Sequence, residues 1–152
     1  MIEVKGPGVP GKGAHRISGG GKIIVLCSDG EKESFEQKDV RMVKGTSFQA
    51  GEYTFEIEDI QKPPLGEFAV QVTIVSTDEY RKIEKVLFYD SRGNEIKSSR
   101  AGISKTRVGD KVTVRRRFNL KEKKDRITVK AVCWKNLETK EVPFSFSTSV
   151  GL

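Results

Sequence analysis

Apolar and polar residues alternate with a period of two along most of the chain after residue 21. Tyr53, Phe55 and Ile57 show the pattern most clearly, since they share one face and polar residues share the other. Such alternation is typical of strands with one buried face. It predicts about eight or nine strands, and the clearest of them fall at residues 22–28, 40–45, 51–58, 68–74, 83–89, 111–120, 126–136 and 142–152.

Turn sequences separate these strands. Asp29-Gly30 is a tight-turn dipeptide, and the run DSRGN at 90–94 is expected to turn one strand back as a hairpin. No segment shows a persuasive helical period. An all-β fold built as an antiparallel β-sandwich is therefore predicted, because it buries one face of every strand.

Residues 1–21 differ from the rest of the chain. They hold seven of the fifteen glycines and almost no apolar residue after Val4. Burial cannot repay the entropy of ordering such a segment, so a flexible, disordered Gly/Pro-rich arm is expected there. Residues 22–152 are predicted to be a single domain, within which 97–110 form a mobile connection.

Two cysteines, Cys27 and Cys133, lie far apart and match no metal-ligand spacing. Both fall in apolar, strand-like runs. A disulfide between them would stabilise the fold by about 4–5 kcal/mol in the chain-entropy model, given an oxidising compartment. Two buried thiols are the alternative, and the sequence leaves both open.

A resemblance to known folds begins at residue 67. The run F68-x-V70-x-V72-x-I74, followed by VLFYDSRGNEI at 86–96, resembles immunoglobulin-like and fibronectin type III sandwiches. The closing stretch at 127–152 is similar to the tail of uncharacterised exported bacterial β-sandwich proteins. The resemblance implies an immunoglobulin-like sandwich of a bacterial protein, exported, periplasmic or in the cell envelope rather than cytoplasmic. It transfers no functional residue.

Residues that catalysis needs are sparse. The only histidine, His15, lies in the predicted arm, where its imidazole cannot be held in a catalytic geometry. Glu56 paired with Glu58 or Asp59 offers a glycosidase-like carboxylate pair, but these residues lie on the polar face of an ordinary strand. We expect no enzyme, cofactor or metal site, and a carbohydrate-active enzyme is the weakest alternative.

Charge is distributed unevenly along the sequence. The formal net charge is +7, and residues 97–130 carry thirteen Lys or Arg against three Asp or Glu. Residues 31–60 carry eight acids against four bases. No run approaches the roughly 20 apolar residues of a membrane span, so no membrane insertion is expected.

The basic segment is predicted to be a hairpin in which strands 111–120 and 126–136 pair through the connection 121–125. Its outward positions would bring cationic side chains beside the single tryptophan. Such a patch suits a polyanion, because the Arg guanidinium donates bidentate hydrogen bonds to phosphate, sulfate or carboxylate, and Trp stacks on a base or sugar. A solvated face that blocks edge pairing is the alternative. The predicted site comprises Arg115, Arg117, Lys121, Lys123, Lys124, Lys130 and Trp134.

Arg116 conflicts with this pattern, since strict alternation points it inward between Val114 and Phe118. A bulge near residues 115–117, an open sandwich edge or pairing with an acid such as Asp59 would each resolve the conflict. The bulge or the edge is favoured.

These features favour a non-enzymatic β-sandwich interaction or structural module. Its partner would be another protein or a second copy of the chain, with the acidic region around Glu56 and Glu58 meeting the basic hairpin of a neighbour. The alternative function is binding of an anionic polymer, nucleic acid or acidic polysaccharide, through the basic hairpin.

Overall fold

The computed structural model describes residues 13, 15–63, 66–77 and 82–149, and within them it contains ten strands and no helix. The predicted all-β class is confirmed, and in this part of the chain there is no helix that could span a membrane. In chain order the strands are β1 (Arg16–Ser28), β2 (Lys32–Arg41), β3 (Ser47–Ala50), β4 (Tyr53–Gln61), β5 (Val70–Ser76), β6 (Ile83–Tyr89), β7 (Ser98–Val108), β8 (Lys111–Leu120), β9 (Arg126–Trp134) and β10 (Leu137–Ser149).

The strands group into two compact units. Strands β1 and β10 pair as a two-stranded sheet in the first, and residues 28–137 form the second. The boundary predicted between residues 21 and 22 falls inside β1. Residues 1–12 and 14 of the predicted arm lie outside the described residues, and the division into one arm and one domain stays a prediction.

Three consecutive glycines continue β1 into the stretch where the sequence predicts the arm. A Cβ on Gly19 would lie 2.8 Å from the ring of Phe146, and one on Gly21 would lie 3.1 Å from the ring of Phe144. The phenyl rings of β10 thus cover the glycine backbone and supply packing that the glycines lack. Phe146 itself remains 41% exposed, so this face is only partly buried.

The second unit is a sandwich of two antiparallel sheets. One has the strand order β2-β9-β6, and the other has the order β3-β4-β5-β8-β7. Phe88 of β6 meets Phe118 of β8 edge to face, with ring centroids 5.1 Å apart, and both side chains are buried. The apolar faces of the two sheets therefore pack on each other around one core.

The alternation read from the sequence places the core side of β4 correctly. Tyr53, Phe55 and Ile57 are 6%, 1% and 1% exposed. The regular pairing of β4 with β5 is interrupted between Ile57 and Asp59, which makes Glu58 the extra residue of a bulge. That bulge changes which side chains of β4 meet the outer face of the sheet.

Three strands differ from the expectation. The mobile connection predicted at 97–110 is wrong, because β7 occupies 98–108 and pairs along its length with β8. The strand predicted at 40–45 is the end of β2 followed by a turn at Gly45, and β2 begins at Lys32. The short strand β3 was not predicted. Strands β2 and β7 are edge strands that carry polar residues on their two faces, so backbone pairing rather than apolar alternation holds them.

Candidate functional site

The predicted basic hairpin does not exist, because β8 and β9 belong to different sheets. Strand β8 pairs with β5 and β7, whereas β9 pairs with β2 and β6. The connection between them is tied to both sheets: the Lys121 backbone N–H donates to Lys97 at 2.9 Å, and the Asp125 carbonyl accepts from Met42 at 2.9 Å. Five residues suffice to cross the roughly 10 Å between packed sheets.

The predicted site residues are consequently dispersed. Arg115 and Arg117 lie on the outer face of the five-stranded sheet, and Lys130 and Trp134 lie on the outer face of the three-stranded sheet. These faces point away from each other. The single patch expected from the sequence is wrong, although the outward positions of Arg115, Arg117, Lys130 and Trp134 on their own strands agree with the predicted alternation.

Arg115 is held by an acid of its own molecule. Its Nε lies 2.8 Å from both Oε1 and Oε2 of Glu58, the bulge residue of β4. Both side chains are more than a third exposed, so the pair contributes at most about 1 kcal/mol. The contact joins the predicted acidic region to the basic segment within one chain, which leaves Glu58 less able to serve a neighbour or a glycosidase-like pair.

Trp134 is half-buried and already covered by a cation. The Nζ of Lys32, its partner across the β2–β9 pairing, lies 4.3 Å from the ring centroid. Because the ammonium occupies one face of the indole ring, that face cannot stack on a base or sugar. Trp134 therefore belongs to a cross-strand contact on the three-stranded sheet.

The lysines of the connection between β8 and β9 also have partners. Lys121 donates to the Glu67 carboxylate, and this hydrogen bond lowers the pKa of Glu67. Lys124 lies 2.7 Å from Glu122, whose hydrogen bond raises the pKa of the lysine. Lys123 is exposed and, like Lys130, forms no ion pair with any residue that the structure describes.

Arg116 follows the alternation of β8 and points into the sandwich, where it is 3% exposed. Strand β8 pairs with β5 without interruption, so the bulge predicted near residues 115–117 is wrong for this strand; the irregularity lies in β7, between Arg100 and Gly102. The Arg116 guanidinium donates from Nη1 to Ser76 Oγ at 2.6 Å. It lines a cavity of about 410 Å³ beside edge strands β6 and β7, although β8 itself lies between β5 and β7.

Cys27 and Cys133 are both thiols in the structure, with no disulfide between them. Cys133 is fully buried in the middle strand of its sheet, and Cys27 is half-buried in β1. The choice between a disulfide and two thiols, which the sequence leaves open, stays a prediction.

The carboxylate of Asp90 stabilises the turn at 90–94 by accepting hydrogen bonds within it. Asp90 Oδ1 accepts from the backbone N–H groups of Arg92 and Asn94 at 2.8 and 2.9 Å, and Oδ2 accepts from the Asn94 side chain at 3.0 Å. The hydrogen bond from the Asn94 side chain is the main cause that lowers the pKa of Asp90. The predicted hairpin turn is confirmed, since Tyr89 bridges to Glu95 directly beyond it.

A basic hairpin does exist, and it consists of β7 and β8. Residues 97–121 carry nine Lys or Arg and one acid, Asp110. The pairing of β8 with β5 ends at Val114, whereas its pairing with β7 continues to Lys111. We call residues 105–113, which pair only with each other among the described strands, the basic ribbon. Three residue steps of about 3.3 Å give it a length of about 10 Å before the turn.

The turn of the basic ribbon is formed by Gly109 and Asp110. Gly109 has φ +60°, which suits the first central position of a two-residue hairpin turn. Every side chain from Ser104 to Asp110 is exposed. The β7 side of the ribbon is therefore exposed to solvent, whereas Val112 and Thr113 of β8 are half-buried.

No family model matches this chain. No curated protein matches it, and no solved structure does. The candidate site therefore depends on the chain's own geometry.

Uncompensated charge marks the β7–β8 hairpin. Arg100, Lys105, Arg107 and Arg117 form no ion pair with any described residue. The Arg117 guanidinium lies across β7, where a Cβ on Gly102 would come within 3.2 Å of it. The absence of a side chain at Gly102 lets Arg117 extend over the edge strand. Four cations on one hairpin thus keep their hydrogen-bond donors available to an anion.

This hairpin was not predicted, because residues 97–110 were expected to be a mobile connection. The charge count already pointed to the segment, and the Val-Gly-Asp sequence at 108–110 is a turn signal between two polar runs. Without apolar alternation in β7, nothing in the sequence showed that both runs were strands.

Proposed function

We propose that this protein is a non-enzymatic β-sandwich interaction module whose contact element is the β7–β8 hairpin, and that its partner is an anionic polymer. The observation that carries the proposal is the basic ribbon itself. It extends past the pairing of β8 with β5, its β7 side is exposed, and Lys105 and Arg107 form no ion pair with a described residue.

Concentrating positive charge on one hairpin destabilises it in the unbound protein. Like charges on adjacent strands repel each other, so a hairpin with this charge excess is less stable than a mixed one. Binding a polyanion relieves the repulsion and releases counterions, which makes affinity fall steeply as salt rises. Nucleic acids and acidic polysaccharides both supply the regularly spaced anions that such a ribbon suits.

We also propose that the sandwich is immunoglobulin-like. The order β4-β5-β8-β7 corresponds to strands A-B-E-D of that fold, and β6-β9 corresponds to C-F. The place of strand G beside F is taken by β2, which precedes the others in the chain. Location in the bacterial cell envelope or outside the cell follows only from the resemblance to exported β-sandwich proteins.

The double variant Lys105→Ala/Arg107→Ala tests the proposed function. We expect it to elute from heparin at distinctly lower salt than the wild type. In titrations with a nucleic acid, the slope of log K against log salt should become shallower by about 1.8, because each lost phosphate contact removes about 0.9. Retention on a heparin column and anisotropy titrations at several salt concentrations measure both effects.

The matched control is Lys44→Ala/Lys62→Ala, which removes two cations outside the ribbon. Both lysines are exposed and form no ion pair with a described residue. The control should elute like the wild type. Equal retention of the ribbon variant and the wild type would contradict the proposal. If sedimentation then showed salt-sensitive dimers, self-association through charge would be the better function.

A further inference from the structure

We propose that the basic ribbon enters the major groove of duplex DNA, with Val108 next to the Gly109-Asp110 turn at its leading end. This inference rests on the proposed function and narrows the anionic polymer to one class. It follows from the combination of an apolar side chain near the tip, cations behind it and the dimensions of the ribbon.

The apolar side chain near the tip of the ribbon is the first observation. Val108 is 76% exposed, which is the highest value among the large hydrophobic residues that the structure describes. It stands next to the turn at Gly109, beyond the last cation of β7. A ribbon that only holds sulfate or carboxylate groups gains nothing from an apolar side chain there, whereas bases offer apolar surface such as the thymine methyl group.

The size of the ribbon is the second observation. Its two strands lie about 4.8 Å apart, and side chains extend on both sides. The major groove is about 12 Å wide and 8.5 Å deep and admits a two-stranded ribbon, whereas the minor groove is about 6 Å wide. A reach of about 10 Å before the turn is enough to bring the tip to the base edges.

The order of side chains along the ribbon is the third observation. Thr106 lies directly across from Thr113 on one face, and Lys105 and Arg107 lie on the other. Threonine hydroxyl groups can donate to or accept from base edges, and the cations can reach the phosphates that border the groove. Phosphate contacts thus come from the face that carries Lys105 and Arg107, and base contacts from the opposite face, which carries Thr106, Val108 and Thr113.

Val108→Ser is the decisive variant, and Val43→Ser is its matched control. Val43 is 59% exposed and lies outside the ribbon, after the end of β2. Anisotropy titrations use a 20-base-pair duplex, the single strand of the same sequence and a heparin fragment. We expect Val108→Ser to weaken duplex binding about fivefold or more by loss of apolar contact. Val108→Ser should bind the heparin fragment like the wild type, and Val43→Ser should bind all three ligands like the wild type.

A second variant controls for a change in the structure of the β7–β8 hairpin. Val108→Thr keeps the β-branched shape that suits a strand, and we expect it to weaken duplex binding less than serine does. Unchanged thermal unfolding of all three variants shows that the fold is retained. If unfolding changes only for Val108→Ser, the threonine variant decides the comparison, and its full duplex affinity would overturn the inference.

Three further results would overturn the inference while leaving the proposed function intact. In the first, Val108→Ser binds the duplex as tightly as the wild type does. In the second, Val108→Ser loses the same affinity for duplex, single strand and heparin. In the third, netropsin, a minor-groove ligand, displaces the protein from the duplex. Each is compatible with a loss of heparin retention in Lys105→Ala/Arg107→Ala. Unchanged heparin retention in that double variant would instead remove the proposed function.

Discussion

Replacing Phe88 with alanine is expected to reduce the free energy of unfolding by about 3–5 kcal/mol. The side chain is fully buried in β6, and its ring meets Phe118 of the opposite sheet at 5.1 Å. Truncation removes both the burial of the ring and a contact that joins the two layers. Urea denaturation followed by tryptophan fluorescence measures the loss.

Phe146→Ala is the matched control for this substitution. Its ring covers the glycines of β1 but remains 41% exposed. We expect a loss of less than about 2 kcal/mol, because much of the ring is already in water. A cost for Phe88→Ala no larger than that of the control would contradict the packing of β6 against β8.

Gly51→Ala is expected to be strongly destabilising. Gly51 has φ +65° in the turn between β3 and β4, and an added Cβ would lie 2.5 Å from Cγ of Phe35. The substitution combines left-handed backbone strain with overpacking against an aromatic ring. We expect a loss of about 2–4 kcal/mol in the free energy of unfolding, measured by urea denaturation.

Gly45→Ala separates these two causes. Gly45 has φ +84°, and no atom lies within 4 Å of the position of an added Cβ. This control carries the backbone strain alone, so we expect a loss of about 1 kcal/mol. Equal losses for the two alanine variants would show that Phe35 does not pack against the Gly51 turn.

The sequence predicted strands well where one face is buried. In β4 and β5 the apolar side chains alternate with polar ones, and burial of Phe55, Val72 and Ile74 agrees with the expected core. Hydrophobic burial acts on each side chain in its own strand, so its pattern is visible in the order of residues. The all-β class followed from that pattern.

The edge strands were less predictable for a physical reason. In β7 no side chain is fully buried, and β2 buries only Val40. Their stability comes from backbone hydrogen bonds to β8 and β9, which leave no signature in side-chain type. Their polar composition resembles that of a loop.

The candidate site was predicted in part. The excess of cations after Lys97 is a property of the sequence, and β7 and β8 carry most of it. The wrong step was to pair β8 with β9, since a five-residue connection can close a hairpin or cross between sheets. The connection crosses between sheets, because Lys121 bonds to Lys97 before β7 and Asp125 bonds to Met42 after β2. These hydrogen bonds depend on tertiary structure.

The proposed site depends on the pairing of β8 with β7, and interstrand nuclear Overhauser effects test that pairing most directly. We expect cross-peaks that join Lys105 to Val114 and Arg107 to Val112, because these residues face each other across β7 and β8. Cross-peaks joining Arg117 of β8 to Lys130 of β9 in their place would contradict the account, since they would restore the hairpin that the two sheets exclude.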